Sequence, residues 1–339
     1  MKKLIFVFYF FALLSCGSNN QITEISTTNI VTGETAINYA NTITKEDLKT
    51  HLYIIASDEF EGRETGEPGQ KKAAEYIKNF YINRSIPSPF LGDDYFQEIP
   101  TDHLKQGIKP SENVLAYIKG SEKPDEIVVI SAHYDHLGIK NGEIYNGADD
   151  DGSGTVAVME IAEAFQKAVE NGNGPKRSIL FLHVTGEEKG LLGSKYYTNA
   201  PVFPLINTVV NLNIDMIGRV DDEHENKPNF VYLIGSDKLS SELHLLSEEI
   251  NNKFSKLILD YKYNDEKDPN RFYYRSDHYN FAKNNIPIIF YFNGTHQDYH
   301  RPSDTPDKIN YELLTKRSQF IFYTAWEIAN REHRIIVDK

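Results

Sequence analysis

Short apolar runs rich in Val and Ile alternate with segments of helical periodicity along most of this 339-residue chain. The apolar runs lie at 113–118, 126–133, 178–184, 208–215, 230–235 and 286–292. Apolar residues with helical spacing occur at 44–55, 68–82, 153–169, 191–198, 238–254 and 311–330. Parallel strands that are joined by helices are buried on both faces and read as continuous apolar runs. The alternation therefore predicts an α/β fold, a three-layer α/β/α sandwich around a central, mostly parallel mixed sheet.

The first residues have the composition of an export signal. Lys2 and Lys3 precede an apolar run from Leu4 to Leu14, which is too short to span a bilayer comfortably. The run leads into Leu13-Leu14-Ser15-Cys16, which resembles the bacterial lipoprotein box, where cleavage before the cysteine is followed by lipidation of its sulfur. We expect residues 1–15 to be a lipoprotein signal peptide and the exported chain to be anchored at the cell envelope through Cys16. The alternative is an ordinary signal peptide with a chance cysteine.

Cysteine content and charge exclude several classes of protein. Cys16 is the only cysteine, so an intramolecular disulfide is impossible and no thiol remains for a cysteine protease. The formal net charge is -13, and no run of Lys and Arg is longer than two residues. A nucleic-acid partner is therefore not expected, and membrane contact is expected through the lipid anchor alone.

The composition also suggests where the folded part begins. Residues 16–43 are rich in Ser, Thr and Asn and are predicted to be a flexible tether. Thr44 resembles a helix N-cap and opens a single folded domain over residues 44–335. We find no internal repeat and no domain-sized linker after residue 44, and the oligomeric state is left open.

Polar side chains follow several of the apolar runs at the point where each run ends. His133-Tyr134-Asp135-His136 closes one run, Glu187-Glu188 and Asp215 follow two others, and Asp298-Tyr299-His300 follows the last. A triplet of acids, Asp149 to Asp151, lies just before the helical segment at 153–169. Functional groups of such sheets gather beyond the carboxyl ends of the strands. A mixed set of imidazoles and carboxylates there suits zinc.

Each of these groups alone has a structural explanation. The triplet could cap a helix, His133 could be a core histidine, and Glu187-Glu188 could be a solvated helix start. Asp215 is harder to explain in this way, because an acid that ends a buried strand is costly unless it is paired or bound to metal. No HExxH, GxSxG or GxGxxG motif occurs, so the usual single-zinc protease, serine hydrolase and dinucleotide-binding interpretations lack their motifs.

Taken together, the motifs resemble the co-catalytic di-zinc aminopeptidase family of exported bacterial enzymes, which has glutamate carboxypeptidases and glutaminyl cyclases as relatives. Five motifs stand in the family's order: His133-Tyr134-Asp135, Gly147 to Gly154, Glu187-Glu188 with Gly190 to Ser194, Asn213 to Gly218, and Tyr299-His300 with Asp304-Thr305.

The resemblance implies two Zn²⁺ per chain and a role for each matching residue. It implies that His133 and Asp215 hold one zinc, that Glu188 and His300 hold the other, and that Asp150 bridges them. It further implies that Asp135 orients His133, that Glu187 is the general base, and that the Asp150–Asp151 peptide is cis.

Other residues near these motifs are open to two interpretations. Arg275-Ser276-Asp277-His278 resembles a family motif that either buttresses the His300 loop or contacts substrate, so Arg275 and Asp277 join Tyr299 as candidate substrate-binding residues. His136 is interpreted as polar lining rather than as a metal ligand. Residues 261–274 are either a lid or an insertion.

The resemblance implies a zinc-dependent exopeptidase that hydrolyses N-terminal residues from peptides. Three alternatives stay open: a glutaminyl cyclase, a carboxypeptidase acting on small peptides, and a lipoprotein that uses the scaffold only for binding. The identity of the cleaved residue cannot be read from the sequence.

Overall fold

The computed structural model describes residues 32–339. The strands are β1 Phe96–Ile99, β2 Ser111–Ile118, β3 Lys123–His133, β4 Gly138–Lys140, β5 Glu143–Tyr145, β6 Arg177–Val184, β7 Thr208–Ile214, β8 Phe230–Ile234, β9 Ile258–Asp260 and β10 Ile288–Phe292. The helices are α1 Glu34–Ala40, α2 Lys45–Ile55, α3 Pro68–Asn83, α4 Gly154–Glu170, α5 Leu192–Asn199, α6 Ser241–Ile250, α7 His278–Ala282 and α8 Tyr311–Asn330. The predicted signal peptide and Cys16 lie outside the described residues.

Eight strands form one mixed sheet in the order β1-β2-β6-β3-β7-β10-β8-β9. The four central strands β6, β3, β7 and β10 run parallel, while β1, β2 and the β10–β8 pair are antiparallel. Every residue of β6, β7 and β10 is buried, because helices cover both faces of the sheet. The predicted three-layer α/β fold with a mostly parallel mixed sheet is confirmed.

The two faces of the sheet pack into separate cores. Along β3, Val128 and Ile130 face a large core that is completed by α1, α2, α3, α4, α6 and α8. Ile127 and Val129 alternate with them and face a smaller core that includes Tyr197 of α5 and Phe281 of α7. This alternation is the consequence of successive side chains pointing to opposite faces of a strand.

The predicted tether needs correction at its C-terminal end. Helix α1 lies inside residues 16–43 and buries Ala36, Tyr39 and Ala40, and the Tyr39 ring stacks on Trp326 with 5.7 Å between centroids. The backbone N–H of Thr32 donates to Glu327 at 2.8 Å. The folded body therefore includes residues from Thr32 onward. The polar composition of the segment hides the i, i+3, i+4 spacing of a buried helix face.

The central strands end at the same edge of the sheet. His133 is the last residue of β3 and pairs with Val184, the last residue of β6, and Tyr291 of β10 pairs with Ile214, the last residue of β7. The segments that carry the predicted site residues follow these strand ends. The parallel arrangement thus brings together groups that are far apart in sequence. Among residues 32–339, no helix is both long enough and apolar enough to cross a membrane.

A buried arginine connects three of these segments. Arg63 ends the 3₁₀ turn Asp58–Arg63, is 1% exposed, and donates hydrogen bonds to four main-chain oxygens. The acceptors are Ile55 at the end of α2 (2.9 Å), Tyr134 after β3 (2.8 Å), and Asn146 (2.6 Å) and Gly147 (2.8 Å) before the acidic triplet. Burial lowers the pKa of Arg63 to about 10, so the side chain is still a cation at neutral pH. Arg63 therefore fixes the loop after β3 against the loop that carries Asp150.

We expect the substitution Arg63→Met to destabilise the protein strongly, because the change removes the side-chain donor of four buried carbonyl oxygens, of which, among residues 32–339, only that of Gly147 keeps a further donor, the Gly152 N–H. An unsatisfied buried acceptor costs roughly 1–3 kcal/mol, so the free energy of unfolding should fall by roughly 3 kcal/mol or more. Urea unfolding followed by circular dichroism measures this loss. Arg271→Met is the matched control, since Arg271 is exposed and lies over the Tyr274 ring at the surface. Equal stability of the two variants would contradict the role given to Arg63.

Candidate metal centre

The sequence-predicted ligands converge at the carboxyl edge of the central strands. His133 ends β3, Asp215 follows β7, Glu188 follows β6, His300 lies in the loop after β10, and Asp150 lies in the turn before α4. The side chains of these residues are buried, except that of His300, which is about two-fifths exposed.

Asp150 lies at the centre of the cluster, and its two oxygens face different partners. Oδ1 is 3.2 Å from His133 Nε2, whereas Oδ2 is 3.0 Å from His300 Nε2 and 3.8 Å from His136 Nδ1. Although burial alone would raise the pKa of Asp150, these imidazoles, His136 foremost, hold it well below its usual range. A carboxylate with this arrangement is suited to share two cations.

The first donor set contains His133 and Asp215. His133 Nε2 is 3.7 Å from Asp215 Oδ1 and faces Asp150, while His133 Nδ1 is 3.0 Å from the main-chain oxygen of Asp135. The Asp135 carboxylate is farther from that nitrogen, at 3.8 Å, and accepts hydrogen bonds from Thr65 Oγ1 (2.7 Å) and the Glu187 N–H (3.1 Å). The main chain of Asp135 thus makes the short contact with His133, and its carboxylate fixes the backbone at Glu187.

The second donor set contains Glu188, His300 and His136. Glu188 Oε1 is 3.0 Å from His136 Nδ1 and 3.4 Å from His300 Nε2. Against the effects of burial and of Asp150, the two imidazoles lower the pKa of Glu188 to about 2. His136, which the sequence suggested to be pocket lining, therefore lies among the candidate ligands.

Asp151 is also near His133 and Asp215, but both of its carboxylate oxygens already accept hydrogen bonds. Oδ1 accepts from the backbone N–H groups of Gly154 (2.9 Å) and Met216 (3.0 Å), and Oδ2 accepts from that of His133 (3.2 Å). Asp151 therefore fixes the backbone around the site rather than offering a free ligand atom. The Asp150–Asp151 peptide is cis, as expected.

Asp149 faces away from the other donors. Its Oδ1 accepts from the Gly218 N–H at 2.7 Å, and its Oδ2 is 3.2 Å from His296 Nε2. The carboxylate of Asp304 accepts from the backbone N–H groups of Asp149 and Asp150, at 3.0 and 3.2 Å. No motif pointed to His296, because its contact with Asp149 is made by the fold between residues far apart in sequence.

The donors open onto a pocket with an aromatic wall. Glu187 lies at its edge, together with Asp150, Asp215 and His300. Burial raises the pKa of Glu187 well above its usual range. The remaining lining residues are Met216, Phe272, Arg275, Phe290, Phe292 and Tyr299. Phe272 belongs to the segment 261–274, and this segment therefore contributes part of the pocket wall.

The three candidate substrate-binding residues do not all lie in the same place in the structure. Arg275 and Tyr299 line the pocket, where Arg275 Nη2 lies 3.4 Å from the Tyr299 hydroxyl, and the Tyr299 ring stacks on His300. Asp277 is fully buried outside the lining and accepts a hydrogen bond from Ser194 of α5. Burial raises the pKa of Asp277 to about 7. The position of Asp277, against Ser194 rather than in the pocket lining, favours a structural role over contact with substrate.

The two donor sets fit zinc. His136, Asp150 and Glu188 each offer a ligand atom within 4.8 Å of the others, and His133, Asp151 and Asp215 form a second such group, in which the oxygens of Asp151 already accept backbone hydrogen bonds. Both ring nitrogens of His136 and Oε1 of Glu188 are buried and lack a hydrogen-bond partner among residues 32–339. Buried polar atoms are rarely left in this state without an ion or water. Imidazole nitrogens and carboxylate oxygens are ligands that zinc prefers.

Comparison with known proteins places the chain in a family. The sequence model of peptidase family M28 matches residues 113–325. A probable zinc metalloprotease of Pyrenophora tritici-repentis is 34% identical over 139 residues, which are 38% of this chain and 27% of the relative. The probable aminopeptidase YDR415C of Saccharomyces cerevisiae is 26% identical over 256 residues, 74% of this chain and 63% of the relative. The chain therefore spans less than two thirds of the length of these relatives.

Solved structures share the fold. LapA aminopeptidase of Legionella pneumophila superposes with a TM-score of 0.67 at 21% identity, over 88% of this chain and 75% of that one. BSAP, a zinc aminopeptidase from Bacillus subtilis, gives 0.66 at 16% identity, over 86% and 96%. Glutaminyl cyclase of Porphyromonas gingivalis gives 0.65 at 16% identity, over 84% and 98%. With more than half of its residues matched by the family model, this chain belongs to peptidase family M28.

Proposed function

We propose that the protein is a zinc-dependent aminopeptidase that hydrolyses N-terminal residues from peptides and uses two Zn²⁺ per chain. The observation that carries this proposal is the position of Asp150, whose two oxygens lie toward two different sets of donors at the rim of an open pocket. His133 and Asp215 would hold one ion, Glu188 and His300 would hold the other, and Asp150 would contact both.

Bound zinc ions would supply the activation of a water molecule and the polarisation of the scissile carbonyl. The protein's own contribution to proton transfer would come from Glu187, next in sequence to Glu188 and at the edge of the pocket. Its carboxylate would take one proton from water as the oxygen attacks the carbonyl carbon, and would deliver that proton to the amine nitrogen as the C–N bond breaks. A raised pKa brings a carboxylate closer to the working pH, which favours both transfers.

The pocket supports a small set of substrate contacts. Met216, Phe272, Phe290 and Phe292 form an apolar wall beside the candidate ligands, which would suit a large apolar side chain at the N-terminus of a peptide. Arg275 and Tyr299 supply the polar groups of the same pocket and would orient the peptide backbone.

Glutaminyl cyclase is the alternative that shares the fold, and similarity of the backbone does not discriminate it from a peptidase. The presence of two donor sets favours hydrolysis, because the cyclase alternative implies one zinc. Metal analysis of the purified protein separates the two: two zinc ions per chain support the aminopeptidase, whereas one zinc with cyclisation of a glutaminyl peptide would replace it.

The substitution Glu187→Gln should abolish turnover and leave the metal in place. The amide keeps the size of the side chain but cannot accept the proton, so we expect kcat to fall by roughly 10³-fold with zinc content unchanged. Glu188→Gln is the matched control, since it should lower zinc content because it removes a candidate ligand. The pair is measured by hydrolysis of leucyl p-nitroanilide and by elemental analysis. Wild-type activity in Glu187→Gln would contradict the proposed proton transfer.

A free amine on the substrate should be required. We expect leucyl and phenylalanyl p-nitroanilides to be hydrolysed, and their N-acetylated forms to react at least about 100-fold more slowly, a loss of about 2.7 kcal/mol in transition-state stabilisation. N-acetylated peptides with a free carboxylate are the comparison. Release of their C-terminal residue would assign the protein as a carboxypeptidase instead.

We also propose that the chain is exported and anchored to the bacterial cell envelope through a lipid on Cys16, at the outer membrane or the periplasmic face. The support is the sequence of residues 1–16 alone. The substitution Cys16→Ser should move the protein from the membrane fraction to the soluble fraction of a bacterial host and abolish incorporation of labelled palmitate. Membrane association that persists without the cysteine would contradict lipidation.

A further inference from the structure

The His136 ring is buried among carboxylates and makes none of the hydrogen bonds expected of a structural histidine within the described part of the chain. Its side chain is 0% exposed, and neither ring nitrogen makes a hydrogen bond to residues 32–339. Nδ1 instead faces carboxylate oxygens, at 3.0 Å from Glu188 Oε1 and 3.8 Å from Asp150 Oδ2. Buried polar atoms are rarely left without a hydrogen bond, and an ion shared by these atoms would satisfy them.

The fold makes room for this imidazole. A Cβ atom on Gly147 would lie 2.5 Å from Cγ and Cδ2 of His136, so only glycine at that position leaves space for the ring. The N–H of His136 donates to the Arg63 main-chain oxygen at 3.1 Å, and the guanidinium of Arg63 holds the oxygens of Tyr134 and Gly147 on either side. The His136 ring is thus held in position by the loop after β3 and by the loop before α4.

We propose that His136 is a metal ligand, through Nδ1, of the ion that Glu188 and His300 hold. This inference rests on the two-metal site of the proposed function and adds a donor to it. With Asp150, the ion at Glu188 has four protein donors, two imidazoles and two carboxylates. Zinc in proteins is usually four-coordinate, with four protein donors in closed sites and three donors plus a water in open ones.

The added ligand makes the two metal positions unequal. The ion at His133 has three protein donors, His133, Asp215 and the shared Asp150, and keeps an open position for water or substrate. The ion at Glu188 has one donor more and is therefore bound more tightly. The expected result is stepwise loading, in which the Glu188 position fills first.

The competing explanation is that His136 only positions Glu188 through an Nδ1–H hydrogen bond, since the two atoms are 3.0 Å apart. Loss of metal in a variant would not separate the two roles, because partners of ligands also affect metal affinity. The number of imidazoles bonded to zinc does separate them.

The decisive measurement is zinc X-ray absorption of the fully loaded wild-type protein, together with a crystal structure of that form. We expect three imidazoles shared by the two zinc ions, and His136 Nδ1 at about 2.0–2.1 Å from the ion at Glu188. Two zinc ions with only two imidazoles bonded, and His136 Nδ1 beyond bonding distance, would overturn this inference and leave the two-metal function intact. A single zinc at His133 would overturn both.

The variant His136→Gln supplies a second readout. Because both positions would then have three protein donors, the tighter first step of zinc loading should be lost, as measured by titration of the metal-free protein with zinc in competition with a chelator. His103→Gln is the matched control, because His103 is exposed and stacks on Tyr196 away from the site. A tight first loading step that persists in His136→Gln would also overturn the inference.

Discussion

The burial of many carboxylates at one edge of the sheet is the constraint on which the rest of this structure depends. A buried carboxylate must be hydrogen-bonded, paired or bound to metal, because desolvation of an isolated anion is too costly. Asp151 and Asp304 meet this requirement with backbone N–H groups, and Asp135 with Thr65 and the Glu187 N–H. Asp149 meets it with the Gly218 N–H and His296.

The candidate ligands are carboxylates of this edge that these hydrogen bonds do not involve. Asp150, Glu188 and Asp215 have imidazoles as their nearest side-chain neighbours, at 3.0 to 3.7 Å. The same hydrogen bonds that satisfy the supporting acids hold the backbone beneath these three. Arg63 adds the connection between the loops after β3 and before α4. The supporting acids and Arg63 thus fix the positions from which the ligand side chains project.

Much of the fold could be predicted, because apolar runs and helical spacing follow directly from which side chains are buried. The predicted three-layer sandwich is confirmed. The prediction for residues 32–43 was wrong, because composition was weighed above the spacing of Ala36, Tyr39 and Ala40. At the site, the resemblance named Asp150 as the bridge, and the ligand set stays a prediction. His136, predicted to be polar lining, lies 3.0 Å from Glu188, and Arg63 and His296 were missed, because the contacts of each are made across the fold.

The sequence by itself determined the fold class and which chemical groups stand at the ends of its apolar runs. It did so because periodicity and the succession of residues along the chain are local properties. Only the tertiary structure decided which of three adjacent acids faces the other donors, that His136 lies beside them, and that Asp277 is buried against Ser194 while Arg275 lines the pocket. Neighbouring side chains on a turn diverge, and their partners come from other strands. The direction of each side chain is therefore fixed by packing and hydrogen bonds that the local sequence does not encode.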